Sequence, residues 1–328
     1  MARSVAIIGA GQIGFGSALA FREAGWDVRV LARSEPEWTG GDIAFERYTA
    51  GEDAAPGADV VLDTIAFDED DIARYDPQRV GRLIAVSSAS VYVDYTGRTL
   101  DEAAQNGFPD LPDPISEEQM TVRPGPETYS TRKVRMEQAA QRAFGPRATI
   151  LRPCAIHGPY SRHPREWWFV NRIKDRRRTI PLAFDGNSVF HTTSARSLGR
   201  LAAFLAVNEL GGVWNAADDD APSVREIGQA IAAHFGKRIR FYGMDGAPQG
   251  SVGRTPWSIP KPFMVDTGKA IEAGFEGFGQ YADGIGSTID WLRSVRSDDW
   301  RTAFPQLAAY PWDMFDYTAE DRFFDERH

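Results

Sequence analysis

Short apolar runs alternate with segments of helical periodicity through the first half of the chain. Four apolar runs predict buried strands, at 4–10, 27–33, 58–67 and 82–90. Helical spacing of apolar residues predicts helices from about Ile13 to Ala24 and near 69–79. Strands that alternate with helices indicate βαβ units and a parallel sheet. The pattern therefore predicts an α/β fold.

The periodicity weakens in the middle of the chain. The stretch 92–126 is rich in Pro, Gly and acidic residues, and a loop of that length is usually functional or mobile. A helix that starts at Tyr129 and stops at Gly145 and Pro146 then leads into a strand, "ATILRPCAI". After Gly158 aromatic residues cluster and the elements become shorter.

This change in composition and element length predicts two parts, a first domain over 1–158 and a smaller, interleaved C-terminal region over 159–328. Helices are expected there in "SARSLGRLAAFLAVNE" and "SVREIGQAIAAHFG". The segment 298–328 combines aromatic and acidic side chains. We expect it to pack as an aromatic tail on its domain; a lid or an interface element is the alternative.

Composition narrows the class of protein. The chain has 328 residues, of which 42% are hydrophobic, and a formal net charge of −9, so it can bury a sizeable core and has no general attraction for nucleic acid or anionic membranes. No window approaches the ~18 apolar residues of a membrane span. Cys154 is the only cysteine, which excludes an intramolecular disulfide and a multi-cysteine metal site. We therefore expect a soluble, cytoplasmic protein that acts on a small molecule, without nucleic acid or membrane partners.

Glycines recur at the first predicted junction of strand and helix, where Gly9, Gly11 and Gly14 form the pattern G-x-G-x-x-G. Such glycines allow a tight turn and a close approach of the backbone to a pyrophosphate, and the following helix offers N–H groups to the phosphate oxygens. We therefore expect Gly9, Gly11, Gln12, Ile13 and Gly14 to bind a dinucleotide. A plain glycine-rich turn is the alternative.

The end of the second predicted strand bears on the choice of dinucleotide. An acid there hydrogen-bonds the adenosine ribose hydroxyls, whereas an arginine pairs with a 2′-phosphate. The segment "VRVLARS" has Ala32 at the position of the acid and Arg33 next. This favours NADP(H) over NAD(H), unless Arg33 only points to solvent.

Tyr129 and Lys133 lie four residues apart at the start of the helix in "ETYSTRKVRMEQ". Residues at i and i+4 share one helical face, so the Lys133 ammonium can favour ionisation of the Tyr129 phenol and lower its pKa from ~10. A phenol tuned in this way is a general acid for a ketone and a general base for an alcohol. The spacing alone is also compatible with chance.

The segment "VSSASVY" supplies hydroxyl groups at the carboxyl end of a predicted central strand, the edge at which ligands bind in open α/β sheets. Ser88 is the candidate for holding and polarising a substrate oxygen. Ser87 and Ser90 are close enough in sequence to serve instead, and Ser90 is a further candidate for substrate binding. Plain turn serines are the alternative.

Taken together, these motifs resemble those of an extended short-chain dehydrogenase/reductase of the NAD-dependent epimerase/dehydratase type. The resemblance is carried by the glycine turn at 9–14, "SSASVY", "YSTRK" and "ILRPCAIHGPY", with a fainter match in "FHTTSARSLGRL". It implies a Rossmann-like, doubly wound parallel sheet, a smaller substrate-binding region and a bound nicotinamide cofactor. It also implies a homodimer built on a helix bundle.

The resemblance assigns a role to each matching position. It implies Tyr129 as the acid/base and Lys133 as the residue that binds the nicotinamide ribose and lowers the tyrosine pKa. It implies that Ser88 hydrogen-bonds the substrate oxygen. It also places Tyr129, Lys133 and Pro153 of the Leu-Arg-Pro segment among the cofactor-binding residues.

Two departures from the family pattern bear on the substrate. Nucleotide-sugar members have an asparagine in their Pro-x-Asn segment, where this chain has Ala155, and an arginine in Arg-Asp-Phe that "GNSVFH" lacks. A substrate diphosphate without such a partner is poorly held. Arg162, Arg165 and the run 176–178 could compensate, although the run also fits a solvated helix end.

Four further side chains are candidates for lining the substrate site: His157, Trp167, Trp168 and His191. Satisfied structural histidines and plain core aromatics are the alternatives. The spacing of histidines and carboxylates supports no metal site.

These features predict an NADP(H)-dependent oxidoreductase that transfers hydride between the nicotinamide and a carbonyl or alcohol carbon of a small organic molecule. Two alternatives stay open: a nucleotide-sugar epimerase or dehydratase with retained NAD(P), and a non-catalytic dinucleotide-sensing protein. The presence of the serine, the tyrosine and the lysine argues against a sensor, which needs only the phosphate turn.

Overall fold

The structure, a computed structural model, describes residues 3–296 and 298–327. Its strands are β1 (Ser4–Ile8), β2 (Asp27–Ala32), β3 (Ile43–Arg47), β4 (Ala58–Asp63), β5 (Val80–Val86), β6 (Ala148–Pro153), β7 (Ala155–His157), β8 (Thr179–Leu182), β9 (Thr192–Ser194), β10 (Gly212–Ala216) and β11 (Arg240–Gly243). Its helices are α1 (Gln12–Glu23), α2 (Glu69–Ala73), α3 (Ala103–Asn106), α4 (Tyr129–Phe144), α5 (Trp167–Lys174), α6 (Ala195–Val207), α7 (Val224–His234), α8 (Gly268–Glu272), α9 (Tyr281–Gly284), α10 (Gly286–Ser294), α11 (Trp300–Ala303), α12 (Pro305–Ala308) and α13 (Tyr317–Asp325).

The chain divides into two compact units. The first unit runs to Ile156 and takes up Thr193–Ala217 and Val265–Phe278. The second unit comprises His157–Thr192, Asp218–Met264 and the chain from Gly279 onward.

The first unit is built on a seven-stranded parallel sheet with the order β10-β6-β5-β4-β1-β2-β3. Successive residues of a strand point to opposite faces. In β1, Val5 and Ile7 enter the apolar core on one face of the sheet, and Ala6 and Ile8 enter the core on the other. Residues of α1 and α6 contribute to the first core, and residues of α4 contribute to the second. Because both faces are buried, this is a doubly wound α/β sheet. It confirms the parallel sheet that the alternating runs predict and the Rossmann-like sheet that the resemblance implies.

Helices α1 and α6 approach closely because glycine occupies both contact points. A Cβ on Gly16 would lie 2.4 Å from the carbonyl oxygen of Ala195, and a Cβ on Gly199 would lie 2.6 Å from the Cα of Ser17. Any larger residue at either position would have to push the two helices apart.

The structure corrects the predicted elements mainly at their ends. The helix expected near 69–79 ends at Ala73. Pro77 excludes its continuation to 79, because proline disfavours helical backbone at the residue before it. The strand expected at 82–90 is Val80–Val86, after which the chain turns into the serine segment. The sequence pattern misses β3, an edge strand in which only Ile43 is buried, so that no apolar run marks it.

The stretch 92–126 is largely irregular but is tied together by one carboxylate. Asp94 accepts hydrogen bonds from the backbone N–H groups of Thr96, Arg98 and Asp110. Burial opposes ionisation of Asp94, but these hydrogen bonds outweigh it and lower its pKa to about 2. The carboxylate therefore organises the loop as long as it stays ionised.

The second unit contains the two-stranded parallel sheet of β8 and β11 and a buried ion pair that holds its C-terminal segment. The guanidinium of Arg172 lies 3.5 Å from the centre of the Trp168 ring and pairs with Glu320 at 2.5 Å. Trp300 and Phe323 of the segment are buried as well. A buried arginine is tolerated only when its charge is paired in this way.

Candidate active site

The glycine turn joins β1 to α1 at the carboxyl edge of the sheet, where the strand order reverses between β1 and β4. Gly9 has a φ of +103°, and a Cβ at this position would lie 2.4 Å from Oγ1 of Thr64. A Cβ on Gly14 would lie 2.0 Å from the carbonyl oxygen of Gly9. Both positions therefore require glycine, which leaves the backbone of the turn bare.

The N-terminus of α1 is suited to an anionic ligand. The helix begins at Gln12 after the N-cap residue Gly11, no side chain caps it, and its first turn carries no acidic residue. The helix dipole and the backbone N–H groups of Gln12 and Ile13 favour phosphate at such an end. The residues of the turn therefore fit the pyrophosphate of a dinucleotide.

Arg33 directly follows β2, and its side chain is exposed. A second arginine, which the sequence interpretation missed together with β3, lies beside it. Arg47 is paired with Ala32 across the two strands, and its Nε donates to the carbonyl oxygen of Arg33 at 3.1 Å. The two arginines therefore lie at the carboxyl ends of β2 and β3, where the adenosine ribose of a bound dinucleotide is expected.

Tyr129 is the first residue of α4, whose N-terminus is fixed by a capping box between Thr128 and Thr131. The Tyr129 side chain is 43% exposed, and its ring lies 5.6 Å from the ring of Phe67. Lys133 lies one turn further along the helix, and its ammonium is 5.6 Å from the centre of the Tyr129 ring. The structure therefore brings the tyrosine and the lysine together on one helical face, with the tyrosine partly exposed.

The Lys133 ammonium is buried and bound to the ends of the central strands. Its Nζ donates to the carbonyl oxygen of Ala66 at 2.7 Å and to that of Val86 at 2.9 Å. Burial lowers the pKa of Lys133 to about 8. An ammonium has three donors, and among the described residues no third acceptor bonds to this one. The remaining donor fits a hydroxyl of a bound cofactor ribose.

Hydroxyl groups form a chain that leads from Ser88 to a carboxylate. Ser88 donates to Oγ of Ser90 at 3.0 Å, and Ser90 and Ser130 share a hydrogen bond of 2.9 Å. Ser130 in turn donates to Asp101 at 2.6 Å. Ser88 and Ser90, both half-buried, therefore hold their hydroxyls in positions set by the helix of Tyr129 and by the preceding loop.

Ser87 points the other way and is part of a buried ionic cluster. Its hydroxyl donates to Glu137, which pairs with Arg152 at 2.6 Å. Pro153 follows Arg152 at the buried end of β6. Ser87 is buried, whereas Ser88 and Ser90 are half-buried, so Ser88 and Ser90 stay the candidates for contact with a ligand. Glu137 was missed by the sequence interpretation, although it continues the face of Tyr129 and Lys133 by one more turn.

The candidates from the second half of the chain lie in the second unit, and all four are buried. Trp167 and Trp168 are each 0% exposed, so their rings are core side chains in this structure. His157 bonds to a carboxylate oxygen of Asp218 at 2.8 Å, and His191 bonds to the Asp218 carbonyl oxygen at 2.9 Å. Burial opposes protonation of His157, but Asp218 outweighs it and raises the pKa of the histidine. Burial lowers the pKa of His191.

Two kinds of feature are absent from residues 3–296 and 298–327. The histidine, cysteine and carboxylate side chains there form no group of three that could hold a metal ion. No helix in the same residues is both long and apolar enough to cross a membrane.

The strand order and the position of the glycine turn define a Rossmann-like, doubly wound α/β fold, and comparison with solved structures confirms this fold. The chain is similar to UDP-glucose 4-epimerase of Thermus thermophilus in complex with NAD, with a TM-score of 0.65 and 16% identity over 89% of this chain and 100% of that one. For a UDP-galactose 4-epimerase the TM-score is 0.61, with 19% identity over 88% and 98% of the chains. For dTDP-glucose 4,6-dehydratase of Bacillus anthracis str. Ames in complex with NAD it is 0.64, with 14% identity over 91% and 98%.

Comparison of the amino-acid sequence with family models and with curated proteins finds no match. The likeness therefore concerns the fold, and the function has to be argued from the residues of this chain.

Proposed function

We propose that the protein is a nicotinamide-dependent enzyme that oxidises an alcohol carbon or reduces a carbonyl carbon of a small organic molecule. The observation that carries the proposal is the buried ammonium of Lys133, fixed between two strand ends and 5.6 Å from the centre of the half-exposed Tyr129 ring. The same unit contains the glycine turn, which fits a dinucleotide pyrophosphate.

In the proposed reaction, Tyr129, Ser88 and Lys133 each have a separate role. The nicotinamide, when bound, supplies hydride or accepts it. Tyr129 gives a proton to the substrate oxygen in reduction and takes it in oxidation. Ser88 hydrogen-bonds the same oxygen and favours the charge that develops there. Lys133 favours the ionised phenol by its positive charge and binds a ribose hydroxyl with its remaining donor.

The position of Lys133 also speaks against a protein that only senses a dinucleotide. Burying an ammonium is unfavourable, as its lowered pKa indicates. A phosphate turn alone would bind a dinucleotide without this unfavourable group. A buried lysine beside a partly exposed tyrosine is therefore better explained by catalysis.

For the cofactor we propose NADP(H). Arg33 and Arg47 lie together at the end of β2 and β3, where arginine pairs with a 2′-phosphate. The solved structures of UDP-glucose 4-epimerase and dTDP-glucose 4,6-dehydratase hold NAD, which makes NAD(H) the competing choice.

A second reaction form is favoured by the fold comparison. The similar structures include nucleotide-sugar epimerases and a dehydratase. In such a reaction the cofactor stays bound and is used twice in each turnover. The same Tyr129 and Lys133 would serve it. However, the segment "GNSVFH" lacks the arginine with which nucleotide-sugar members of the resembled family hold the substrate diphosphate. A nucleotide sugar would therefore need another cation in this chain.

Turnover by Tyr129→Phe tests the proposal. The variant keeps the ring that packs on Phe67 and loses the proton, so we expect kcat to fall about 10²- to 10⁴-fold with unchanged cofactor affinity. Tyr95→Phe, at a side chain that is 80% exposed, is the matched control. Unchanged turnover in Tyr129→Phe would refute the mechanism. Release of reduced cofactor supports the oxidoreductase form, and turnover with retained cofactor and no net oxidation supports the epimerase form.

The proposal includes a cytoplasmic homodimer, as the family resemblance implies. Light scattering on the eluting protein tests the assembly: we expect a mass near twice the 36.3 kDa of the chain. A mass near that of one chain would overturn the dimer.

A further inference from the structure

A group of arginines lines a cleft in the second unit, whereas the glycine turn and Tyr129 belong to the first unit. The cleft has a volume of about 510 Å³. Its cationic side chains come from the chain after α5, the start of β11 and the chain after α13: Arg176, Arg177, Arg178, Arg240 and Arg327. We call this feature the arginine cleft.

The backbone holds two of these arginines side by side. The N–H of Arg240 donates to the carbonyl oxygen of Arg178 at 2.9 Å, and Arg240 is paired with Thr179 in the parallel sheet of β8 and β11. Both residues line the cleft, so two guanidinium groups start from backbone segments that this hydrogen bond joins. Like charges that share one cleft repel each other, which is unfavourable unless an anion lies between them.

The charges of the cleft are largely uncompensated. Asp321 is the acidic residue in its lining, and this carboxylate already pairs with Arg177. The guanidinium of Arg327 lies 3.7 Å from the centre of the Phe323 ring and donates to the carbonyl oxygen of Phe323. Within the described residues, Arg176, Arg178 and Arg240 form no ion pair. A strongly positive cleft in a chain of net charge −9 is therefore a local feature that overall composition does not explain.

The chemistry of the lining indicates the class of ligand. Guanidinium groups match phosphate oxygens with two parallel hydrogen bonds, and several of them around one cleft suit a ligand with more than one phosphate. The volume lies in the range of small-molecule pockets, about 300–1,000 Å³. The wall also contains two half-buried aromatic rings, Tyr242 and Phe324, whose centres are 5.5 Å apart. Exposed ring surface next to cations suits a planar base attached to phosphates.

We propose that the arginine cleft binds a compact polyphosphate, either inorganic pyrophosphate or a nucleoside diphosphate. The cleft is separate from the glycine turn in sequence and belongs to the other unit, so this proposal does not depend on the proposed oxidoreductase activity.

Calorimetric titration of the full chain with pyrophosphate and with ADP tests the proposal. The decisive variant is Arg178→Gln/Arg240→Gln, which removes two charges from the cleft. Lys237→Gln/Arg238→Gln is the matched control, because it removes two exposed charges from the adjacent segment and neither residue lines the cleft. We expect saturable binding to the wild type, at least about tenfold weaker binding to the cleft variant and unchanged binding to the control.

The same titrations distinguish the two sources of phosphate. Tighter binding of ADP than of pyrophosphate, lost in Phe324→Ala, assigns a nucleoside diphosphate; equal affinities assign inorganic polyphosphate. Melting temperatures of the variants check their folding, and Arg178→Gln and Arg240→Gln as single variants replace the double variant if it does not fold.

Three results would overturn the proposal. The first is an absence of saturable binding below about 5 mM, a very weak affinity. The second is an equal affinity in wild type and cleft variant, which would assign the binding to the glycine turn. The third is binding only of a long polyanion such as an RNA oligonucleotide, which would make the cleft a macromolecular surface.

Discussion

The ammonium of Lys133 is bound by the carbonyl oxygens of Ala66 and Val86, and it lies 5.6 Å from the centre of the Tyr129 ring. Ala66 follows β4, Val86 ends β5, and both Lys133 and Tyr129 belong to α4. One buried cation therefore connects the helix that carries the phenol to two strand ends of the sheet. This fixes the position of Tyr129 relative to the edge at which the glycine turn lies.

The unfolding free energies of Lys133→Met and of the wild type should differ by an amount that depends on pH. This dependence measures the free energy of burying the Lys133 cation. Lys133 has its pKa lowered from 10.5 to about 8, so between these values the unfolded chain binds more protons than the folded one. The wild type therefore gains stability as the pH rises through this interval. The stability advantage of Lys133→Met over wild type should decrease by about 3 kcal/mol between pH 7 and pH 10.5.

Chemical denaturation at several pH values measures this difference, with Lys237→Met as the reference for loss of an exposed lysine. A stability difference between Lys133→Met and wild type that stays constant or grows with pH would contradict the lowered pKa.

Gly9→Ala should reduce dinucleotide binding at least about tenfold, because the new Cβ would collide with Thr64 and would have to displace the phosphate turn. Gly25→Ala is the matched control: Gly25 also has a positive φ, but a Cβ there meets nothing within 4 Å. The control should lose about 1 kcal/mol of stability and keep its affinity. Fluorescence titration with the reduced cofactor checks both, and equal affinities would mean that the turn does not bind the cofactor.

Replacement of the two neighbouring serines should affect different properties, kcat for Ser88 and stability for Ser87. Ser88→Ala should lower kcat about 10²-fold with little change in stability, because the hydroxyl is proposed to hold the substrate oxygen. Ser87→Ala should lower stability by about 1–3 kcal/mol, since Glu137 loses a buried hydrogen bond, and should change kcat much less. Kinetics and denaturation of both variants are the measurements. The reverse pattern would assign the substrate contact to Ser87.

Glu320→Gln should destabilise the protein by about 3–5 kcal/mol, because the buried guanidinium of Arg172 loses its ionic partner. Glu326→Gln, on an exposed side chain just beyond Asp325, should stay within about 0.5 kcal/mol of wild type. Denaturation followed by tryptophan fluorescence compares the two. Similar stabilities would show that the C-terminal segment is held by its aromatic side chains alone.

Much of the fold could be predicted from sequence because its signals are local. Strand and helix periodicity, together with the glycines at 9–14, indicate a parallel sheet without knowledge of distant contacts. The face shared by Tyr129 and Lys133 is likewise a consequence of helical spacing. Such features follow from residues that are near each other in the chain.

The remaining features depend on contacts between residues far apart in sequence. The buried hydrogen bond that distinguishes Ser87 from Ser88 is made to Glu137, about fifty residues away. Arg47 lies beside Arg33 only because β3 pairs with β2, and no apolar run marks β3. Sequence spacing carries no information on such pairings.

Titration of the purified protein with NADPH and NADH, followed by nicotinamide fluorescence, tests the central claim most directly. We predict saturable binding of one dinucleotide per chain, tighter for NADPH, with the preference lost in Arg33→Ala and the binding weakened in Gly9→Ala. Any nucleotide that copurifies is released with acid and identified first. Tighter binding of NADH, or copurified NAD, would overturn the NADP(H) proposal and favour the epimerase form. A wild-type chain that neither binds nor retains a nicotinamide dinucleotide would contradict the proposed function itself.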